Sequence, residues 1–156
     1  MIDLTPDFRD LLIELADAEV DFLIVGAFAL AFHGHSRATK DIDIFVRASA
    51  DNAHKLYQAL AKFGAPLSQF EITETDFAKG DKVLKIGVPP RRIDIINSIT
   101  GVSFDEALSE HGVFDLDDRH IQIIGLAALI KNKTAAARPQ DVADVKILTD
   151  PRRKKG

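Results

Sequence analysis

Apolar positions along this chain switch repeatedly between helical and extended spacing. Phe8, Leu11, Leu12 and Leu15 recur on one helical face, predicting an amphipathic helix that runs to about Ala18. Thr5 supplies a capping hydroxyl, Pro6 suits the first helical position and Asp7 places an acid in the first turn. Asp10, Glu14 and Asp17 fall on the solvated side. Phe22-Leu-Ile-Val25 reads as a buried strand, and Gly26 as a tight strand-to-helix turn where the backbone comes close to something. A short helix is expected from Ala27 to His33, with Gly34 as its stop. A second β-like run, Asp41 to Val46, is followed by Ser49, which caps a helix to about Phe63 that ends at Gly64. Residues 65–80 have poor periodicity; Phe70-Glu-Ile-Thr is their one fragment with the look of an edge strand.

Farther on, Val83 to Val88 and Arg92 to Ile96 are two strands separated by Pro89 and Pro90, which cannot continue a ladder, so an antiparallel hairpin is expected. Ser103 caps a short helix from Phe104 to Glu110. Val113–Leu116 and His120–Ile124 look like strands around Asp117-Asp118. The chain closes with helices from Leu126 to about Thr134 and from Pro139 to about Leu148, then a basic tail.

Composition narrows the chemistry. At 156 residues the chain fits one domain (1–156), with a core over about 20–100, further strands and helices over about 101–150, and the tail at 151–156. The net charge of -4 provides no global field for nucleic acid or an anionic membrane. Any polyanion must therefore meet local cations or metal. The lack of cysteine excludes thiol catalysis and thiolate metal sites. No window approaches the ~18 apolar residues of a membrane span, so no membrane partner is expected. The acidic N-terminus lacks a signal-peptide pattern, which makes a cytoplasmic location the expectation.

Against that background the aspartates stand out. In a strand Asp41 and Asp43 project from one face, roughly 7 Å apart along the chain. Two such carboxylates repel and contribute no packing, so a positive centre between them is the natural explanation. Asp94 is a third acid set among apolar strand residues. A hard divalent cation relieves buried carboxylates, and Mg²⁺ is held by one or two of them plus substrate phosphates. If the Asp94 strand lies beside the Asp41/Asp43 strand, three carboxylates converge, and such a spot can hold two ions about 3.5–4 Å apart. The plainer alternative is that Asp41 ends a strand and Asp94 pairs with Arg92 or Lys85. His33 and His35 read as polar loop residues, because a cation that prefers oxygen does not need them.

Four segments together resemble the nucleotidyltransferase superfamily typified by DNA polymerase beta, and more narrowly the small AbiEii/MNT-type minimal nucleotidyltransferases. They are Val25-Gly-Ala-Phe-Ala-Leu-Ala-Phe-His-Gly34, Arg37-Ala-Thr-Lys-Asp-Ile-Asp-Ile-Phe-Val46, Ile86-Gly-Val-Pro-Pro-Arg-Arg-Ile-Asp-Ile95-Ile96, and Leu129 to Asp144 with its Asn-Lys-Thr-Ala-Ala-Ala-Arg-Pro-Gln-Asp core. The resemblance implies an α/β (α+β) fold, a mixed sheet flanked by helices with a C-terminal helical segment. It also implies transfer of a nucleoside monophosphate from a nucleoside triphosphate, with Mg²⁺ or Mn²⁺, to a hydroxyl of a protein, tRNA or small molecule. Asp41, Asp43 and Asp94 would be the catalytic and metal-binding acids. Gly26 and Ala27 would cradle phosphates with main-chain amides, flanked by Arg37 and Lys40, while Lys133 would approach phosphate or nucleobase. Arg138 and Asp144 would brace the last two helices. The family usually has Gly or Ser where this chain has Ala27, so no hydroxyl is available there. That departure keeps a second expectation open, a weakly catalytic or inactive binding module such as a toxin–antitoxin component. A sugar-nucleotide transferase would leave Asp94 unexplained.

Overall fold

The structure is a computed structural model that describes residues 5–35, 41–87 and 92–152. Its order is α1 (Pro6–Asp17), β1 (Phe22–Val25), α2 (Gly26–Phe32), β2 (Ile42–Val46), α3 (Ala50–Phe63), a 3-10 turn (Leu67–Gln69), α4 (Glu74–Phe77), β3 (Val83–Ile86), β4 (Ile93–Ile96), α5 (Phe104–Leu108), β5 (Gly112–Leu116), β6 (Arg119–Ile123), α6 (Leu126–Ala136) and α7 (Pro139–Leu148). The expected helix starts use the expected chemistry. Thr5 Oγ accepts from the Phe8 amide at 3.3 Å, and Ser49 Oγ accepts from the Asn52 amide at 3.1 Å. Gly64 ends α3 in the left-handed region at φ 94°.

Six strands form one mixed sheet in the order β3-β4-β2-β1-β6-β5. The β3/β4, β2/β1 and β6/β5 pairs are antiparallel, whereas β2/β4 and β1/β6 are parallel. β5 and β6 therefore extend the same sheet that carries the aspartates. The hairpin expected between β3 and β4 is present, with Val83 opposite Ile96. This is a mixed α/β architecture with helices flanking the sheet and two helices at the C-terminal end.

Period-two alternation gives β2 and β4 two different faces. Ile42, Ile44, Ile93 and Ile95 are buried in the core with Leu11 and Leu15 of α1 and Leu56 and Leu60 of α3. Asp43 and Asp94 emerge on the opposite face. Two residues beyond Asp43, that face is closed over, because Phe45 packs edge-on against Phe104 of α5 at 5.2 Å and Arg47 lies 4.5 Å above the Phe104 ring. The second face of the sheet is thus sealed at one end of β2 and open at the other.

Residues 65–80 differ from the sequence expectation. Phe70-Glu-Ile-Thr forms no strand; Thr73 instead caps α4 in a reciprocal box with Asp76. Asn97, buried at the end of β4, fixes this segment. Its Oδ1 accepts from the Lys82 amide at 2.7 Å, and its Nδ2 donates to the carbonyls of Phe77, at 3.1 Å, and Lys79. One amide side chain thereby ties α4 to the β3–β4 hairpin that presents Asp94. Among the described residues no helix is long and apolar enough to cross a membrane.

Truncating Asn97 to Ala orphans a buried amide and two carbonyls, with an expected loss of about 2–4 kcal/mol. Urea denaturation of Asn97→Ala measures it, and a loss below about 0.5 kcal/mol, the ordinary surface value, contradicts the assigned role.

Candidate active site

The site is built across three adjacent strands, β1, β2 and β4, beside the turn that ends β1. Val25, the last residue of β1, is opposite Asp43 in the antiparallel ladder, and Asp43 is in register with Asp94 across the parallel β2/β4 pair. In-register neighbours share a face, so the chain turn at Gly26 and the carboxyls of Asp43 and Asp94 lie in a row. Asp41 sits one residue before β2 rather than inside it, and its Oδ1 accepts from the Arg92 main-chain amide at 2.9 Å. Asp41, Asp43 and Asp94 nevertheless line one cleft of about 450 Å³ with Gly26 and Ala27.

Gly26 is required here on two counts. Its φ of +69° belongs to the left-handed region, and a Cβ at this position would collide with the Asp43 carboxylate. The missing side chain lets that carboxylate sit against the main chain, which is the close approach implied by a glycine between strand and helix.

Crowding marks Asp43 electrostatically. Burial, then the charges of Asp94 and Asp41, raise its pKa to about 6 against the opposing pull of Arg92 and Arg138. Asp94 is held differently. The Arg92 guanidinium forks onto it, Nε to Oδ1 at 2.8 Å and Nη2 to Oδ2 at 3.1 Å. Of the two cationic partners the sequence allowed for Asp94, Arg92 is the one it meets in an ion pair, although Lys85 lies opposite it in the ladder.

A second cleft, of about 480 Å³, opens on the other side of Asp43 toward Ser98, Thr100, Leu129 and Asn132. The two clefts share Gly26, Asp43, Lys133 and Arg138, so Asp43 stands at the divide between them. Each has the size of a small-molecule site.

The C-terminal helices invert one expectation. Lys133 reaches both clefts, but it is 5% exposed and its Nζ is engaged by Asp144 at 2.8 Å and Asp141 at 3.5 Å. It therefore braces α6 against α7, the task expected of Arg138 together with Asp144. Arg138 does grip Asp141, at 2.6 Å, yet its side chain is 76% exposed at the divide. Burial pushes the Asp141 carboxyl up, and the Arg138 hydrogen bonds and charge outweigh it, holding the group below its ordinary value. Arg138, expected only as a brace, is thus a cleft cation, and Arg92, expected only as a possible partner of Asp94, lines the cleft as well. Arg92 had a readable signal, since it precedes Asp94 by two positions and so shares its face. Arg37 and Lys40 lie outside the described residues. His33 hydrogen-bonds the Ile124 carbonyl at 2.7 Å, a structural contact.

The donor set suits a hard cation completed by substrate. Among the described residues no three acid or imidazole side chains gather into a ready cation cage. Mg²⁺ needs only one or two carboxylates when phosphates supply the rest, and Asp43 with Asp41 or Asp94 could supply them.

A family model described as "Nucleotidyl transferase of unknown function (DUF2204)" matches residues 5–155. No curated protein matches the sequence. Among solved structures, a Thermotoga maritima protein assigned as a nucleotidyltransferase superposes with a TM-score of 0.57 at 14% identity, covering 92% of this chain and 93% of that one. A lincosamide antibiotic adenylyltransferase with lincomycin bound gives 0.52 at 17% identity, covering 95% and 98%. At these identities the likeness speaks for the fold.

Two stability measurements probe this geometry. Gly26→Ala is expected to cost about 2–4 kcal/mol from backbone strain and collision. In an Asp43→Ala background the carboxylate is gone, and the tight 3.1 Å approach to the residue-43 Cβ remains with about 1–2 kcal/mol of backbone strain, so the cost should fall; equal costs in both backgrounds would rule out the close approach. The second concerns pH. A raised carboxyl pKa means the folded chain holds this proton more tightly than the unfolded one, so Asp43 is harmless below about pH 4, destabilises increasingly from there to about 6, and holds that full cost above it. Asp43→Asn should therefore stabilise the protein by about 1–3 kcal/mol at pH 7.5, with the gain fading toward pH 4 in urea titrations. A gain independent of pH would refute this.

Proposed function

The chain belongs to the DUF2204 nucleotidyl transferase family, and from that premise we propose that it moves a nucleoside monophosphate from a nucleoside triphosphate to an acceptor hydroxyl, with Mg²⁺ or Mn²⁺. The observation that carries the reading is the in-register placement of Asp94 beside Asp43, with Asp43 at the divide between two clefts. One cleft then takes the triphosphate and the other leaves room for the rest of the nucleotide or for the acceptor.

In this proposal the acceptor oxygen bonds to the α-phosphorus while the bond from that phosphorus to the β-bridging oxygen breaks, releasing pyrophosphate. The hydroxyl proton passes to Asp94 or to solvent. Asp41 and Asp43 hold the cation that accompanies the triphosphate, whose charge it neutralises when bound. Gly26 and Ala27 border the phosphates with first-turn amides that have no acceptor within α2. Arg138, exposed at the divide, adds a fixed positive charge. Holding donor and acceptor in line is the chain's main contribution.

The acceptor class is a protein, a tRNA or a small molecule. A second reading, a binding module with little catalysis such as a toxin–antitoxin component, draws on two observations. Ala27 supplies no hydroxyl, and Asp94 is already forked by Arg92.

Each of the four α-labelled ribonucleoside triphosphates, incubated with Mg²⁺, the protein and a cell extract supplemented with tRNA and a lincosamide, separates the readings. Label should move to an acceptor, stop on chelation with EDTA and fall below detection with Asp43→Ala. Absence of transfer from every nucleotide defeats the enzymatic reading in favour of the binding module.

A further inference from the structure

Arg92 touches two of the three cleft acids at once, through different parts of the residue. Its guanidinium occupies both oxygens of Asp94, and its main-chain N–H donates to Asp41. Its carbonyl accepts from the Ile42 amide at 3.0 Å. The backbone of Arg92 is thus pinned on both sides while its side chain, 28% exposed, opens onto the same cleft as Gly26 and Ala27. A divalent cation approaching Asp94 in this state meets a positive group at contact distance. The same planar fork that fits a carboxylate also fits phosphate oxygens.

We infer that Arg92 is an exchangeable counter-ion, neutralising Asp94 in the empty protein and moving its fork to a phosphate oxygen when cation and triphosphate arrive. The inference rests on the nucleotidyl-transfer reading and adds a device to it. Asp94 becomes available to the acceptor hydroxyl only once a triphosphate has drawn Arg92 away. Only side-chain torsions need to change, since the main-chain bonds to Asp41 and Ile42 stay in place. Cation and nucleotide then favour each other's binding, because each relieves a cost the other would meet alone.

The exchange predicts shifts of opposite sign. Binding of Mn²⁺ alone is read by electron paramagnetic resonance. Binding of the α,β-methylene analogues of the four ribonucleoside triphosphates, as Mn²⁺ complexes, is read by calorimetry. Arg92→Ala should bind Mn²⁺ alone at least about fivefold more tightly and the best analogue at least about fivefold more weakly than the unaltered protein. Arg92→Gln, which keeps bulk and polarity without charge, should shift both in the same directions and guards against misfolding of the alanine variant. If both affinities fall together, or Mn²⁺ affinity does not change, Arg92 is a static brace and the exchange is wrong, while the nucleotidyl reading stands. If the unaltered protein binds none of the analogues, both fall.

Discussion

A carboxylate stripped of most of its water needs positive charge nearby, and in this protein that need is concentrated on Asp43. The sheet sets it between Val25 and Asp94, with Gly26 giving up a side chain to make room. Arg92 and Arg138 approach closely enough to pull its pKa down, but burial and the two neighbouring acids win. The alternation along β2 makes this arrangement unavoidable, because the isoleucines that anchor the strand in the core force the intervening residue onto the other face. A sequence that stabilised the fold alone would place an apolar or amide side chain at position 43. An acid there costs stability, as acids at functional positions commonly do.

A few residues away, the same kinds of group are arranged to the opposite end. Lys133, Asp141 and Asp144 are buried at the α6–α7 junction, with Gln140 donating to Asp144 at 3.2 Å and Arg138 to Asp141. Every one of these charges has a partner at hydrogen-bond distance, so the cluster fixes the pitch of two helices. Removal of a partner from such a network leaves an uncompensated charge and is strongly destabilising. The two clusters of charge thus differ in how completely the protein itself satisfies them.

Local structure was legible in the sequence wherever punctuation was strong. Phe22–Val25 was readable to the residue, because Gly26 marks its limit, and Pro139 fixed the start of the last helix, whose end near Leu148 was legible only approximately. Residues 65–80 were not, since the contacts that order them come from Asn97, far along the chain, and a capping box of only four residues gives no periodicity. The hairpin before Asp94 was readable, whereas its parallel placement beside β2 was only conditional, and the meeting of Asp43 with Asp94 depends on that placement. Cations proved hardest. A lysine and an arginine five residues apart, Lys133 and Arg138, carry the same charge in the sequence, and only the helix packing decides which is buried against acids and which stays exposed.

The parallel pairing of β2 with β4 has a consequence for how the protein is made. Asp43 leaves the ribosome early, yet its in-register neighbour is 51 positions later, and the cleft wall is closed only by residues near 138–141. Closing so long a segment is slow relative to forming the local helices. Until residues 92–94 have emerged, Asp43 has neither Asp94 nor Arg92 beside it, and the cleft lacks its last wall until residues 138–141 follow. The cleft thus assembles as one of the last events of folding, and a nascent or truncated chain carries the aspartates without the site.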